Sequence, residues 1–238
     1  MTEPALHVTV TLNARLQPEH RHELFEDPLD ALLQAANVGE ITGGGTAMSD
    51  DGEVEYGDIE VALVDADGVP KLIDLLEQLG APKGSKIQGA GEADRSFGVT
   101  EGLGIYLDGL NLPDEVYEQC DSNHVFEQLS ERIDGLGEIC SWWQGPSETA
   151  LYMYGQSFET MRDAIAEFVG SYPCARTHAW CRSPEGGKCG AESCSAHASE
   201  AEHGLGSTEG GRASGWRARA AARRRIDPAQ GAASTSGV

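Results

Sequence analysis

The sequence predicts an α+β fold built from two tandem copies of one unit, each an antiparallel four-stranded sheet with two helices on one face. Three observations predict it. The stretch from Gly137 to Gly170 reads as strand, tight turn, strand and amphipathic helix, and Gly39 to Gly80 repeats that plan. Landmarks recur in the same order: Leu12 and Leu107 stand 95 residues apart, as do Pro18 and Pro113, and Gly39-Glu40-Ile41 and Gly137-Glu138-Ile139 stand 98 apart. Gly80 and Gly170 stand 90 apart because the first copy has the longer turn between its middle strands, so the drift is confined to loops.

Each element has a local cause. In His7–Leu12, Val8, Val10 and Leu12 alternate onto one face of a strand. Asp27-Pro28 reads as an N-cap followed by proline at the first helical position, with Leu29, Leu32, Leu33 and Ala36 at helical spacing and Gly39 as the stop. Ile41 opens a strand that runs into Gly43-Gly44-Gly45, and the acidic turn Ser49–Gly52 leads to Ile59, Val61 and Leu63. A helix from Val69 to Leu79 buries Leu72, Leu75, Leu76 and Leu79 and ends at Gly80, and Lys86-Ile87-Gln88 makes a brief fourth strand.

Residues 1–88 are therefore the first unit, and residues 89–96, with GAGEAD inside them, have linker composition. The order restarts in residues 97–173. Leu103, Ile105 and Leu107 alternate, Asp121 or Ser122 caps a helix carrying Val125, Phe126, Leu129 and Ile133, and the strand, turn, strand and helix of Gly137–Gly170 follow. A strand is due after Ser171-Tyr172-Pro173, but no alternating apolar run appears there. The second unit is expected to lack its fourth strand and to leave Met161, Ile165, Phe168 and Val169 under-covered. Residues 174–238, rich in Ala, Arg, Gly and Ser with scattered Cys and Trp, read as a disordered tail or as a shifted reading frame of GC-rich coding DNA.

The order strand-helix-strand-strand-helix-strand is the split βαβ unit, and on these repeat anchors residues 1–173 resemble tandem ferredoxin-like proteins. The resemblance implies two βαββαβ units, paired because about 85 residues alone give a marginal core. It also takes in amino-acid-binding regulatory modules of ACT type, which hold small ligands where paired sheets meet.

Charge narrows the partners. Through Tyr172 the chain has 33 Asp and Glu against 8 Lys and Arg, a net of −25, while the whole chain carries −22. Such acidity favours a basic protein partner and disfavours nucleic acid or anionic lipid at the folded part. No apolar run is long enough for a membrane span and no secretory signal is visible, so a cytoplasmic protein with reduced thiols, monomeric or weakly dimeric, is expected. The leading reading is a non-enzymatic acidic binding protein that engages a basic partner, as an immunity-type inhibitor does. A small-molecule-binding regulatory module of ACT-like type is the alternative. No cofactor, metal or catalytic group is expected.

Candidate binding residues are few. Gly43, Gly44 and Gly45 would let a backbone approach a ligand, but they lack the spacing and following helix of a phosphate loop. At the same offset stand Trp142 and Trp143. Neighbours on a strand point oppositely, so one belongs in a core and the other outward, packed over the sister copy's glycines. Glu40 and Glu138 occupy equivalent places and would suit acid–base work if brought together, although each also simply starts a strand on its solvent side. His20 and His22, on either side of Arg21, could place two imidazoles near a metal but read as solvated histidines. The tail's Cys174, Cys181, Cys189 and Cys194 lack paired zinc-knuckle spacing, and Arg217–Arg225 is a basic run without interleaved aromatics.

Overall fold

The computed structural model describes residues 6–89, 94–175, 178–182 and 194–196. The fold is α+β, with two antiparallel five-stranded sheets of identical topology. In the first, β1 (Leu6–Leu12), β2 (Gly39–Met48), β3 (Val54–Leu63), β4 (Ser85–Gln88) and β5 (Arg95–Phe97) lie in the order β2-β3-β1-β4-β5. In the second, β6 (Glu101–Asp108), β7 (Gly137–Gln144), β8 (Glu148–Gly155), β9 (His178–Arg182) and β10 (Cys194–Ala196) lie in the order β7-β8-β6-β9-β10. The duplication thus extends to a fifth strand in each copy.

The helices differ from expectation at the first. Pro18, not Asp27, begins it: α1 (Pro18–Arg21) passes through a π-helical turn, His22–Glu26, into α2 (Asp27–Ala35). Pro28 therefore sits inside a continuous helical run. A proline has no N–H for the i→i−4 bond and crowds the carbonyl of residue i−4, and the wider π turn just before it relieves both. The stop is Asn37, the one described non-glycine residue at positive φ (51°), rather than Gly39. Then come α3 (Gly68–Gln78), α4 (Asp114–Gln119), α5 (Ser122–Arg132) and α6 (Phe158–Ser171). Asp121 is the cap of α5, its side chain accepting from Asn123 N–H, while Gly170 falls within α6 and does not end it.

The anchors Gly39 and Gly137 have a steric cause. A Cβ on Gly39 would stand 2.3 Å from the Ala62 carbonyl oxygen, and one on Gly137 2.5 Å from Met161 Sδ and 2.8 Å from the Tyr154 oxygen. Each is the point where the chain leaves a helix and crosses close to the neighbouring strand.

Two boundary expectations are corrected. The linker placed at 89–96 runs into β5, which pairs with β4 through Arg95↔Ile87 and Phe97↔Ser85, so the first sheet continues to the buried Phe97. The fourth strand of the second unit is present: β9 pairs antiparallel with β6, Ile105 opposite Trp180. A ladder along a central strand supplies backbone bonds whatever the apolar alternation, which is why the sequence pattern does not display it. Met161, Ile165, Phe168 and Val169 are accordingly all buried. Residues 183–193 and 197–238, with the expectations of disorder, of a shifted frame and of an arginine run, lie outside the described residues.

Candidate functional site

The first copy covers the second copy's sheet. On β6 and β8, Leu103, Ile105, Leu151 and Met153 face the helices of their own unit, leaving Tyr106, Ala150, Tyr152 and Tyr154 on the opposite face. Ala150, Tyr152, Tyr154 and Trp143 join one continuous core with the first unit's Val10, Leu12, Ala14 and Leu16, and Tyr106 packs against it. The junction is filled.

A polar clasp closes its rim. The Glu53 carboxylate, at the start of the run into β3, accepts from Tyr106 Oη at 2.6 Å, and also from Tyr152 Oη and the Arg15 guanidinium. Arg15 donates a further bond to Tyr106 Oη at 2.9 Å, and its backbone N–H donates to Tyr154 Oη at 2.7 Å. Its guanidinium carbon lies 5.6 Å from the centre of the Tyr152 ring, which meets Tyr106 edge-on. Burial raises the Tyr152 phenol far above its ordinary value, with Tyr106 and Glu53 adding to the rise. Burial likewise raises Tyr106, against the opposing pull of Arg15. Both phenols act as donors to Glu53, so the clasp ties Arg15 and Glu53 of the first unit to Tyr106 and Tyr152 of the second.

Beside the clasp lies a cleft of about 600 Å³. The first unit contributes Gln17, Glu19 and Asp51, with the backbone of Gly52; the second contributes Trp142, Trp143 and Gln144, with the backbone of Gly145. Trp143 is buried at 6% exposure while Trp142 is 37% exposed, as alternation along β7 requires. Trp143 lies over the β7–β8 turn, where a Cβ on Gly145 would come within 2.1 Å of its ring. The walls are tied together. Gln17 N–H donates to Ser141 Oγ at 3.2 Å, Gln17 Nε2 donates to the Trp142 carbonyl at 3.2 Å, and His20 Nδ1 is 3.1 Å from Ser141 Oγ. His20 is therefore half-buried at the junction, against the expectation that it is solvated, while His22 is exposed and pairs with Glu26 at 2.9 Å. Half-buried Glu148 has its carboxyl raised by burial and by the charges of Glu53, Asp108 and Asp51, the mark of a negative local field.

The glycine run lies elsewhere. Gly43, Gly44 and Gly45 belong to the edge strand β2, and among the described residues no tryptophan packs over them. The buried Arg21 side chain does: it donates to the Gly45 carbonyl at 2.5 Å and to Glu26 Oε1 at 2.6 Å, and a Cβ at Gly44 would lie 3.3 Å from its Nη2. Gly57 on β3 completes the channel, since a Cβ there would meet Arg21 Cδ at 2.8 Å. The glycines thus admit an internal ion pair. Glu40 and Glu138 are both exposed, on β2 opposite Ala62 and on β7 opposite Tyr154.

Sequence reasoning passed over Arg15, Gln17, Glu19, Asp51, Glu53, Tyr106 and Tyr152. A signal existed: Tyr106, Tyr152 and Tyr154 stand on what would be the solvent face of their strands, and three aromatics there announce that the face is covered. Cys140, a free thiol, is pushed up to about 12 by burial and the neighbouring Glu138 charge, and is no nucleophile at neutral pH. Cys120 is disulfide-bonded, which corrects the expectation of reduced thiols throughout. Among the described residues no group of three or more His, Cys, Asp or Glu side chains could hold a metal ion, and no helix is long and apolar enough to cross a membrane.

No family model matches the chain, and no curated protein matches it. Among solved structures, it is similar to the regulatory subunit of aspartate kinase from Thermus flavus, at 10% identity over 68% of this chain and 92% of that one, with a TM-score of 0.24. It is also similar to the first two RRM domains of the yeast poly(U) binding protein Pub1, at 13% identity over 68% of this chain and 90% of that one, with a TM-score of 0.21. Likenesses at these scores carry no functional argument.

Proposed function

We propose that this chain is a binding protein whose acidic surface engages a basic protein partner, in the manner of an immunity-type inhibitor. The observation that carries the reading is the charge balance: eight cations cannot neutralise 33 carboxylates through Tyr172, whatever the pairing. Part of that charge stands on the helix-free face of the first sheet, where exposed Glu40 and Glu60 and half-buried Asp58 accompany Thr9 and Thr11. A field of this sign steers a basic protein into contact and sets its on-rate. The test is capture on the immobilised chain at low and high salt, followed by rebinding of the purified captured protein. A basic protein retained at low salt and released by salt is expected; no retention at low salt refutes the proposal.

The cleft supports a second reading, a small-molecule regulatory module, because its volume falls within the range of ordinary ligand sites. A thermal-shift screen against amino acids and nucleotides tests it, and a flat melting temperature across the panel removes it.

A further inference from the structure

Taking the chain as a receptor for a basic partner, we infer that the partner adds an extended strand to the outer edge of β2, at residues 43–47, and lays cationic side chains across Gly43 and Gly45 toward the carboxylates of Glu60 and Asp58. The inference deepens the proposed function and rests on it.

Strand β2 is the outermost strand of its sheet, with β3 its one neighbour among the described residues. Such an edge is usually blunted by proline, by charge or by a bulge. In β2 the bulges lie toward the ends, between Ile41 and Gly43 and between Ala47 and Met48. Between them residues 43–47 keep regular register with β3, Gly43 opposite Glu60 and Ala47 opposite Tyr56, and they carry neither charge nor proline. Gly44 and Gly45 are exposed. Among the described residues, the bond that the backbone of this strip makes outside the ladder is the one Arg21 donates to the Gly45 carbonyl. A strip of this kind offers its main-chain donors and acceptors to an added strand.

The glycines decide what the added strand carries. Gly43 and Gly45 stand opposite Glu60 and Asp58, so all four positions share the helix-free face. A side chain on an added strand ordinarily meets one on the adjacent strand, and β3 lies a second strand spacing away, about 10 Å in all. Here the adjacent strand has no side chain at those two positions. The Glu60 carboxylate reaches over it instead, with Oε2 3.0 Å from where a Cβ on Gly43 would stand. At Gly45 nothing lies within 4 Å of that point, so the way to Asp58 is open, and the Asp58 carboxylate is held by Thr11 Oγ1 at 2.7 Å. Among the described residues neither carboxylate is in an ion pair. Long cationic side chains, lysine or arginine, match both that reach and that charge. A second copy of this chain would bring its own Glu40 and Glu60 to the same edge, like charge against like, so the occupant is a basic segment of another protein.

The experiment is calorimetric titration of the full chain, at low salt, with a capped peptide that alternates threonine and lysine. The control is the same peptide N-methylated at every backbone amide, which keeps the charge and removes the strand's donors. The first peptide should bind about tenfold more tightly than the methylated one. Alternate amides of residues 43–47, fast to exchange in the free chain as edge donors are, should slow when it binds, and those of β7, the edge of the second sheet, should not. Gly45→Val puts a side chain where nothing lies within 4 Å, so the fold is kept, and it should weaken binding about fivefold by closing the way to Asp58. Glu60→Gln/Asp58→Asn should weaken it about fivefold as well, whereas Asp74→Asn/Glu131→Gln, which removes two charges from α3 and α5, should change it little. The strand addition is overturned, while the acidic-receptor reading survives, if both peptides bind alike, if exchange at residues 43–47 is unmoved, or if the remote pair weakens binding as much as the β3 pair. Slow exchange of all five amides in the free chain overturns it too, because a second copy or the chain's own arginine run then holds the edge. A chain that captures a basic protein yet binds neither peptide has the same consequence. If the unaltered chain binds neither peptide and captures no basic protein, both readings fall.

Discussion

Replacing Glu53 with alanine tests the junction directly. The carboxylate is the shared acceptor of Arg15, Tyr106 and Tyr152, and its side chain is 20% exposed against 15% for Arg15. Removing it leaves a guanidinium without its counter-charge and two phenols without their acceptor. Truncating one partner of a buried pair costs about 3–5 kcal/mol, and residual solvent contact puts Glu53→Ala at the lower end, about 3 kcal/mol. Glu53→Gln keeps an oxygen acceptor for one phenol and loses only the charge, so about half that loss is expected. Urea unfolding of the full chain, followed by tryptophan fluorescence and by far-ultraviolet circular dichroism, reads both. Trp143 lies in the junction core, so fluorescence should move to lower urea before the dichroism does if the units part first. A Glu53→Ala midpoint indistinguishable from that of the parent would show that the aromatic core alone holds the units and that the clasp is incidental.

Gly57→Ala should destabilise by about 1–3 kcal/mol, because its Cβ would stand 2.8 Å from Arg21 Cδ, and Arg21→Ala in the same background should recover part of the loss in urea unfolding. The His22 imidazole titrates above its ordinary 6.5, first through its hydrogen bond to Glu26 and then through Asp27, so its NMR midpoint should lie above 6.5 and fall in Glu26→Gln. Its raised pKa means that its contribution is present below 6.5 and lost as pH climbs through the folded value. Glu26 runs the other way. Burial pushes its carboxyl up, bonds from Arg21 and His22 outweigh that, and the lowered pKa means stability present above the ordinary 4.5 and lost as pH falls. A chain ending at Ala175 should unfold at lower urea and self-associate in sedimentation, because the edge of β6 that pairs with β9 would be exposed along Leu103–Leu107.

Local pattern carried the reading as far as local physics reaches. The alternation in β1 and β6, the leucine stripe of α3, the Asp121 cap and the divergent tryptophans are all set by residues within a few positions of one another. The π turn was illegible because Asp27-Pro28 satisfies every local rule for a helix start, and only the preceding turn from Pro18 overrides it. Strand β9 was illegible because its warrant is a ladder to a strand 75 residues earlier, Ile105 opposite Trp180. Glu53 sat in a stretch, Asp50 to Glu55, whose composition is that of a solvated turn. Its role appears only once Arg15, Tyr106 and Tyr152 arrive from three other segments.

The two copies have taken opposite fates on one topology. Paired positions on the helix-free face of the second sheet hold Tyr106, Ala150, Tyr152 and Tyr154, and the first unit's loop at Ala14–Leu16 seals them. The same face of the first sheet holds Thr9, Thr11, Asp58 and Glu60, with Thr11 donating to Asp58 at 2.7 Å. An antiparallel sheet tolerates water on one face only if that face is polar. The polar face of the first sheet therefore tolerates water, whereas the aromatic face of the second needs a neighbour. That dependence explains why the junction is apolar at its centre and ionic at its rim. At the cleft, β7 of the second unit, through Trp142 and Trp143, stands beside Glu19 and Asp51 of the first unit.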